Sequence, residues 1–310
     1  MRATVLGGCG FIGSHVVDAL CAAGHSVTVF DRSMERYRAP VPGVDYMMGD
    51  FSDKMALAEA LNGAEVVYHL ISTTFPSTAN LDPKADVTSN LIGTLGLIET
   101  MNSLGVKRLV YLSSGGTVYG KAPTHPISED FPRNPINSYG IVKVAIEQYL
   151  QMYSISHGLQ PVVVRAANPF GPRQGHTGVQ GVVATFMRKI RNSQPIEIWG
   201  DGSVVRDYLY VADLASLCVA AAQSDIAGAV NAGSGQGKSL LELIDALSDV
   251  TGSEVDVSFK PGRTIDVPYS VLDIQKARKA LDWQPVTSLR DGLKATWDWE
   301  QSTVGQNVSK

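Results

Sequence analysis

Near the start of the chain lies the stretch Ala3-Thr4-Val5-Leu6-Gly7-Gly8-Cys9-Gly10-Phe11-Ile12-Gly13, followed by a helical pattern up to Ala23. The apolar run before Gly7 predicts a buried strand. The three glycines Gly7, Gly10 and Gly13 permit a tight turn, a close backbone approach to a pyrophosphate and close packing of helix on strand. The helix N-terminus offers free N–H groups to a phosphate. A strand, glycines and a helix in this order predict a dinucleotide-binding unit.

The second predicted strand, Ser26-Val27-Thr28-Val29-Phe30, ends at Asp31. A carboxylate at the end of this strand would bind the adenine ribose hydroxyls. It would also repel a 2′-phosphate, so we expect NAD rather than NADP. Arg32 follows directly and would weaken that preference.

Strand and helix patterns alternate through the first half of the chain, with strands at 45–48, 66–70, 108–113 and 161–165 and helices at 54–61, 85–104 and 138–157. This alternation predicts an α/β fold, a Rossmann-type doubly wound parallel sheet. After Gly171 the elements become shorter and Gly and Pro more frequent. We therefore predict an NAD-binding domain over 1–171 and a smaller C-terminal α/β substrate domain over 172–310, some of whose segments return to the first domain.

Composition excludes several classes of function. The chain has 310 residues, with 26 basic against 30 acidic side chains, a net charge of −4 and no basic block. Nucleic acid and anionic membranes are therefore not expected partners. The three cysteines and six histidines lack metal-ligand or disulfide spacing, so no metal site is expected. No leader pattern or membrane-spanning apolar run is visible, which predicts a cytoplasmic protein.

Tyr139 and Lys143 occupy positions i and i+4 of a predicted helix, so their side chains share one face. A phenol ordinarily loses its proton near pH ~10. A neighbouring ammonium favours the phenolate and lowers that pKa. The pair therefore predicts a general base that works near neutral pH.

Together with the glycine motif and the Tyr/Lys pair, the segment Ser113-Ser114-Gly115-Gly116-Thr117-Val118-Tyr119-Gly120 resembles the extended short-chain dehydrogenase/reductase family. Within it, the chain looks most like the UDP-galactose 4-epimerase group of nucleotide-sugar epimerases, over roughly Ala3 to Leu293. The resemblance implies a retained NAD, a UDP-sugar substrate and reversible inversion at carbon 4. The cofactor-binding residues that it implies are Gly7, Gly10, Phe11, Ile12, Gly13, Asp31, Arg32, Asp50, Phe51, Leu70, Ile71, Ser72, Asn90, Ser113, Tyr139 and Lys143.

The resemblance also implies a substrate site, in which an asparagine and two arginines hold the diphosphate. Guanidinium groups suit phosphate oxygens because they donate in pairs. A small residue at position 270 would leave room for an N-acetyl group, unless Tyr269 fills that space. The implied substrate-binding residues are Ser114, Thr117, Tyr139, Asn168, Arg206, Arg263, Asp266 and Ser270.

The third catalytic member of the family, a Ser or Thr, has no certain counterpart. Alignment on Thr117-Val118-Tyr119-Gly120 places Gly115 there, whereas distance to the catalytic tyrosine places Ser114 there. We expect Ser114 to act with Tyr139 and Lys143, and Thr117 is the second candidate. Gly116 and Thr117 also replace the acidic residues of the related dehydratases and decarboxylases, which disfavours those reactions.

Two other functions remain open on the sequence alone. A nucleotide-deoxysugar 4-reductase or dehydrogenase would use the same scaffold with an exchangeable cofactor. A non-catalytic sensor of NAD or nucleotide sugar would tolerate Gly115 but would not need the Tyr139/Lys143 pair. The resemblance further implies a homodimer built from the helices at 85–104 and 138–157, although their apolar residues also fit helices buried in a monomer.

Overall fold

The first predicted strand lies at the centre of a large sheet in the computed structural model, which describes residues 1–175, 181–262 and 267–302. The first strands are β1 (Arg2–Leu6), β2 (Ser26–Asp31), β3 (Asp45–Met48), β4 (Val66–His69), β5 (Arg108–Ser114) and β6 (Gln160–Ala166). The helices between them are α1 (Phe11–Ala22), α2 (Lys54–Ala60), α3 (Pro83–Asp86), α4 (Gly93–Ser103) and α5 (Ser138–His157), with a π-helical turn, Val87–Ile92, between α3 and α4.

The second half of the chain contains shorter elements. Its strands are β7 (Asn168–Phe170), β8 (Ile196–Trp199), β9 (Val205–Tyr210), β10 (Gly228–Ala232), β11 (Gly237–Ser239), β12 (Val257–Lys260) and β13 (Tyr269–Ser270). Its helices are α6 (Val182–Arg191), α7 (Val211–Gln223), α8 (Leu240–Thr251), α9 (Gln275–Leu281) and α10 (Leu289–Ser302).

Within the described ranges, seven strands form one sheet in the order β10-β6-β5-β4-β1-β2-β3, and every neighbouring pair is parallel. This confirms the predicted doubly wound sheet. The apolar runs of β1 and β4 are buried on both faces, as expected for central strands of a parallel sheet covered by helices. The strand order reverses between β1 and β4, so a crevice is expected beyond their carboxyl ends.

A smaller layer packs beside this sheet. Strand β9 pairs with β7, β11 and β13, and β8 pairs with β12. The layer has its own apolar core, which includes Phe170, Phe186, Tyr208, Leu243 and Trp297. Strand β10 and helix α7 return to the large sheet. The division of the chain at residue 171 stays a prediction.

Helix α5 has the bounds that the sequence predicts, because both of its ends are capped. The Asn137 side chain accepts a hydrogen bond from the Gly140 amide at 2.8 Å, and the helix ends at Gly158 with φ +66°. Val142, Ile146 and Leu150 pack into the core under the large sheet. The caps and this buried stripe fix the orientation of the first turn, which carries Tyr139.

The predicted helix at 85–104 is helical but not uniform, since its middle is the π-helical turn Val87–Ile92. Turns of this kind are rare and often occur at functional sites. Asn90 lies within the turn and is buried. None of the helices in the described part of the chain combines the length and hydropathy that a membrane crossing requires.

Candidate active site

A cavity of about 850 Å³ opens at the carboxyl ends of β1, β4, β5 and β6 and is closed on its other side by the smaller layer. Most of the predicted site residues line it: Gly7, Gly10, Phe11, Ile12, Gly13, Leu70, Ser72, Ser113, Ser114, Thr117, Tyr139, Lys143, Asn168 and Arg206. The structure thus brings the glycine motif, the Tyr/Lys pair and part of the predicted substrate site together. Arg263 and Asp266 lie outside the described residues.

The glycine loop fits the pyrophosphate of a dinucleotide. Gly7 adopts φ +82°, and a Cβ on Gly13 would overlap the Gly7 carbonyl oxygen, so α1 can start this close to β1 only without a side chain there. Helix α1 begins at Phe11, and its N-cap residue Gly10 has no side chain to cap it, which leaves the first N–H groups of the helix free at the edge of the cavity.

Asp31 lies beside this loop. Its carboxylate accepts hydrogen bonds from the Cys9 amide at 3.0 Å and the Ser33 amide at 3.3 Å. A carboxylate has capacity for further donors, such as ribose hydroxyls. Arg32 is exposed and acts electrostatically on Asp50, whose pKa is held low mainly by hydrogen bonds from Ser52.

Six of the predicted cofactor residues do not line the cavity: Asp31, Arg32, Asp50, Phe51, Ile71 and Asn90. The Phe51 ring packs 5.0 Å from the His69 ring, centroid to centroid, and the half-buried Ile71 packs against the apolar core. The Asn90 amide accepts from the Thr73 amide at 3.0 Å and donates to Thr74 and Asp86. Asn90 therefore holds the loop after β4, and its predicted cofactor contact stays a prediction.

Tyr139 and Lys143 lie on one face of α5, as predicted from their spacing. The Lys143 Nζ donates to the Leu112 carbonyl of β5 at 2.9 Å and lies 5.5 Å from the centroid of the Tyr139 ring. Lys143 is buried, whereas Tyr139 keeps part of its surface open to the cavity. The pair can therefore act on a substrate group that enters from the cavity.

The expected pKa shift of the phenol is wrong in direction. Burial raises the pKa of Tyr139 to about 12, a hydrogen bond with Ser72 works against this shift, and the Asp86 charge adds to it. Burial likewise lowers the pKa of Lys143 to about 8, against the opposing charges of Glu147 and Asp86. The sequence indicates that the two groups are neighbours, but it does not reveal how strongly the fold desolvates them.

A buried polar network beneath the pair was not foreseen. Glu147, one turn after Lys143, accepts two hydrogen bonds from Arg165 of β6, at 2.7 and 3.2 Å, and one from the Ser113 hydroxyl at 2.6 Å. The side chains of Glu147 and Arg165 are only 3% and 4% exposed. The available signal was Arg165 itself, a charged residue at the end of the apolar run Val162-Val163-Val164 in a strand buried on both faces.

The candidates for the third catalytic residue occupy different environments. Gly115 carries no hydroxyl, and the position has no room for a serine or threonine, because a Cβ there would come within 2.5 Å of the Leu272 side chain and 3.1 Å of the Arg165 carbonyl. Ser114 and Thr117 both line the cavity. The Thr117 hydroxyl is buried, and none of the described residues offers it a hydrogen bond. A buried hydroxyl without a partner is costly, so this group suits a bound ligand.

On the substrate side, Asn168 and Arg206 come from β7 and β9 of the smaller layer. The Asn168 amide donates to the Asp207 carbonyl at 3.0 Å, and the Arg206 guanidinium donates to the Val205 carbonyl at 2.9 Å. Ser270 is buried next to Arg206 in the β13–β9 pair, and it does not line the cavity. Phe186, Trp199 and Gln174 do line it, and the sequence did not single them out.

The fold and site define a dinucleotide-dependent enzyme with a Tyr/Lys pair. Residues 3–233 match the NAD dependent epimerase/dehydratase family, and the chain belongs to that family and uses NAD. A relative from Mycolicibacterium smegmatis, a UDP-glucose 4-epimerase, is 37% identical over 96% of this chain and 97% of its own.

Two solved structures are similar over nearly the whole chain. The UDP-glucose 4-epimerase of Thermotoga maritima with UDP-glucose has a TM-score of 0.93 and 35% identity, covering 98% of this chain and 100% of that one. The UDP-N-acetylglucosamine 4-epimerase of Methanobrevibacter ruminantium, in complex with UDP-N-acetylmuramic acid, has a TM-score of 0.92 and 29% identity, covering 98% and 99%.

Substitution of Gly13 tests the cofactor loop. Gly13→Ala should weaken NAD binding by about 5- to 150-fold, because relief of such an overlap costs about 1–3 kcal/mol. The measurement is the molar ratio of NAD released from denatured, purified protein, followed by titration of the NAD-free form. The control is Gly96→Ala in α4, where the nearest atom, Lys54 Cε, is 4.0 Å from the added Cβ. A Gly13→Ala protein that retains as much NAD as the control would contradict the assignment.

Proposed function

We propose that the protein inverts carbon 4 of a UDP-hexose, interconverting the gluco and galacto forms through a transient 4-keto sugar. The observation that carries the proposal is the single cavity shared by the glycine loop, the Tyr139/Lys143 pair and the Asn168 and Arg206 side chains. Cofactor, general base and diphosphate ligands would thus surround one bound nucleotide sugar.

Each residue has a defined role in this scheme. Tyr139 accepts the proton of the sugar 4-hydroxyl and later returns it. Lys143 provides a positive charge beside the phenol and hydrogen bonds to the cofactor ribose. NAD supplies a hydride acceptor and donor at carbon 4 and, when oxidised, a positively charged ring that favours the phenolate.

Inversion requires that the keto sugar turn between the two hydride transfers. Asn168, Arg206 and Arg263 would hold the diphosphate while the sugar rotates about its bond to it. The cofactor ends each cycle in its starting state, so it can stay bound. The retained cofactor distinguishes this proposal from a 4-reductase, which must exchange its cofactor.

We infer from the small residue Ser270 that N-acetylated sugars are also accepted. Ser270 is buried beside Arg206 and does not line the cavity, so its side chain takes up none of the space that is open to the sugar. Tyr269, the alternative candidate for that space, is 39% exposed, and its ring packs on His125 at 4.5 Å between centroids. This contact favours a position of Tyr269 away from the sugar. The proposed substrates are therefore UDP-glucose and UDP-N-acetylglucosamine.

A homodimer is proposed from the exposed apolar side chains on two adjacent helical segments. The exposed positions are Leu81, Val87, Ile92, Ile141, Met152 and Ile155. They lie on or next to α3, the π-helical turn and α5, and those on α5 share one face. A second copy of this face would cover them in a symmetric pair.

The proposed compartment is the cytoplasm, where UDP-sugars would feed polysaccharide synthesis. All three cysteines are free thiols, which fits a reducing compartment.

Direct assay of the two sugars tests the proposed function. Purified protein without added NAD should convert UDP-glucose and UDP-N-acetylglucosamine to equilibrium mixtures with their galacto epimers, as followed by proton NMR. Tyr139→Phe should lower kcat by about 10²–10⁴-fold, because it removes the general base. The control is Tyr149→Phe, an exposed tyrosine on the same helix. Net formation of NADH, or no epimer of either sugar from protein that binds NAD and UDP-sugar, would contradict the proposal.

Paired substitutions decide which hydroxyl assists Tyr139. The buried, unpartnered hydroxyl of Thr117 favours this residue over Ser114. We expect Thr117→Val to lower kcat by about 10²-fold with little change in KM, Thr117→Ser to restore most of it, and Ser114→Ala to have a smaller effect. A larger loss of kcat in Ser114→Ala than in Thr117→Val would assign the role to Ser114 instead.

Light scattering tests the dimer. Wild-type protein should have twice the mass of one chain at micromolar concentration, and Ile141→Glu should shift it to the monomer, since a charge on the covered face is desolvated. Val286→Glu, at an exposed position before α10, is the control. A wild-type monomer, or an Ile141→Glu dimer, would contradict the proposed interface.

A further inference from the structure

The ammonium of Lys143 rests on the face of an aromatic ring that has no role in the scheme above. Its Nζ lies 4.8 Å from the ring centroid of Tyr111 in β5. The next residue of the same strand, Leu112, accepts the hydrogen bond of that Nζ. Two consecutive residues of β5 therefore contact the catalytic ammonium, one by its carbonyl and one by its ring.

The ring of Tyr111, rather than its hydroxyl, makes this contact. The Tyr111 side chain is fully buried, and none of the described residues forms a hydrogen bond with its hydroxyl. A cation within about 6 Å of an aromatic centroid is attracted by the electron-rich ring face, and more strongly where water is excluded. The buried position of Lys143 meets that condition.

Two more aromatic rings pack in a row behind the Tyr111 ring and form a stack with it. The His69 ring lies 5.4 Å from the Tyr111 ring, and the Phe51 ring lies 5.0 Å from the His69 ring. Burial lowers the pKa of His69 to about 3, so this imidazole is neutral and does not repel the ammonium. The stack is thus uncharged along its length, and Lys143 is the cation at its end.

We propose that Tyr111 is a positioning residue for the epimerase reaction, whose ring face holds the Lys143 ammonium in its charged form and directs it toward Tyr139 and the cofactor. This role rests on the proposed function, since it acts through Lys143. It also explains why an aromatic ring occupies this fully buried position of β5.

The other groups around Lys143 also affect its charge, and the ring acts alongside them. Glu147 on the same helix and Asp86 on α3 favour the charged form, and burial opposes it. Tyr139 and His69 face the same region as neutral groups. Removal of the ring leaves the two carboxylates in place, so a change in the Lys143 titration reports the ring contact itself.

The test is a direct titration of Lys143 in the NAD-bound protein. The side-chain nitrogen signals of ¹⁵N-lysine-labelled protein are followed by NMR against pH, and the Lys143 signal is assigned by its loss in Lys143→Arg. Wild-type protein should titrate below the ordinary pKa of a lysine, since burial lowers the pKa of Lys143, and Tyr111→Phe, which keeps the ring, should titrate close to wild type. In Tyr111→Leu the pKa of Lys143 should fall by about one pH unit.

A graded series guards against a Leu variant that does not fold. Replacement of Tyr111 by phenylalanine, 4-fluorophenylalanine and 3,4,5-trifluorophenylalanine keeps the shape while it withdraws electrons from the ring face. The pKa of Lys143 should fall stepwise along the series, and the alkaline limb of kcat should move to lower pH with it. A constant pKa across the series, or an equal fall in Tyr111→Phe and Tyr111→Leu, would overturn the role.

The NMR titration is independent of turnover. If wild-type protein converts neither UDP-sugar, the proposed function fails, whereas the titration still decides whether Tyr111 stabilises the charged form of Lys143.

Discussion

The buried ion pair between Glu147 and Arg165 holds helix α5 against the large sheet, and the geometry of the site depends on this contact. Arg165 belongs to β6, and Glu147 lies one turn beyond Lys143 on α5. Because removal of Glu147 would leave the Arg165 guanidinium buried without this countercharge, the two must stay together in the folded protein. The Ser113 hydroxyl joins β5 to the same carboxylate. Helix α5 and strands β5 and β6, which lie under the site, are thus joined through the Glu147 carboxylate.

The same burial sets the chemistry of the catalytic pair. Burial works against the charged form of both groups: it raises the pKa of Tyr139 to about 12 and lowers that of Lys143 to about 8, so at neutral pH the phenol is neutral while Lys143 still carries its charge. The proposed reaction then requires positive charge near the phenol, which an oxidised cofactor and a charged Lys143 would provide. The Leu112 carbonyl, the Glu147 carboxylate and the Tyr111 ring each favour the charged lysine. Several modest contacts around one ammonium group therefore together favour the charged form of Lys143.

Much of the fold can be predicted from local sequence patterns. The alternating strands and helices predicted the parallel sheet, and Asn137 and Gly158 mark the ends of α5 where the structure has them. Gly7, Gly10 and Gly13 predicted the loop between β1 and α1. In the structure, α1 lies so close to β1 that there is no room for a Cβ at Gly13. Each of these features is determined by residues close together in the chain, which is why a single sequence reveals them.

Contacts between distant segments were not predictable in the same way. The pairing of Glu147 with Arg165, and the stack of Phe51, His69 and Tyr111, depend on which strands become neighbours and in what register. The direction of the Tyr139 pKa shift depends on burial, which spacing along a helix does not reveal. The environments of Ser114 and Thr117 differ for the same reason, since the turn after β5 decides which hydroxyl is buried.

In the proposed reaction, the hydride taken from carbon 4 would return to the same sugar molecule, with the cofactor still bound to the protein. The most direct test is a crossover experiment with equal amounts of UDP-glucose deuterated at carbon 4 and UDP-glucose labelled with ¹³C throughout the sugar. Mass spectrometry of the galacto product should find deuterium only in the ¹²C sugar and none lost to water. Deuterium in the ¹³C product, or its loss to solvent, would contradict the account.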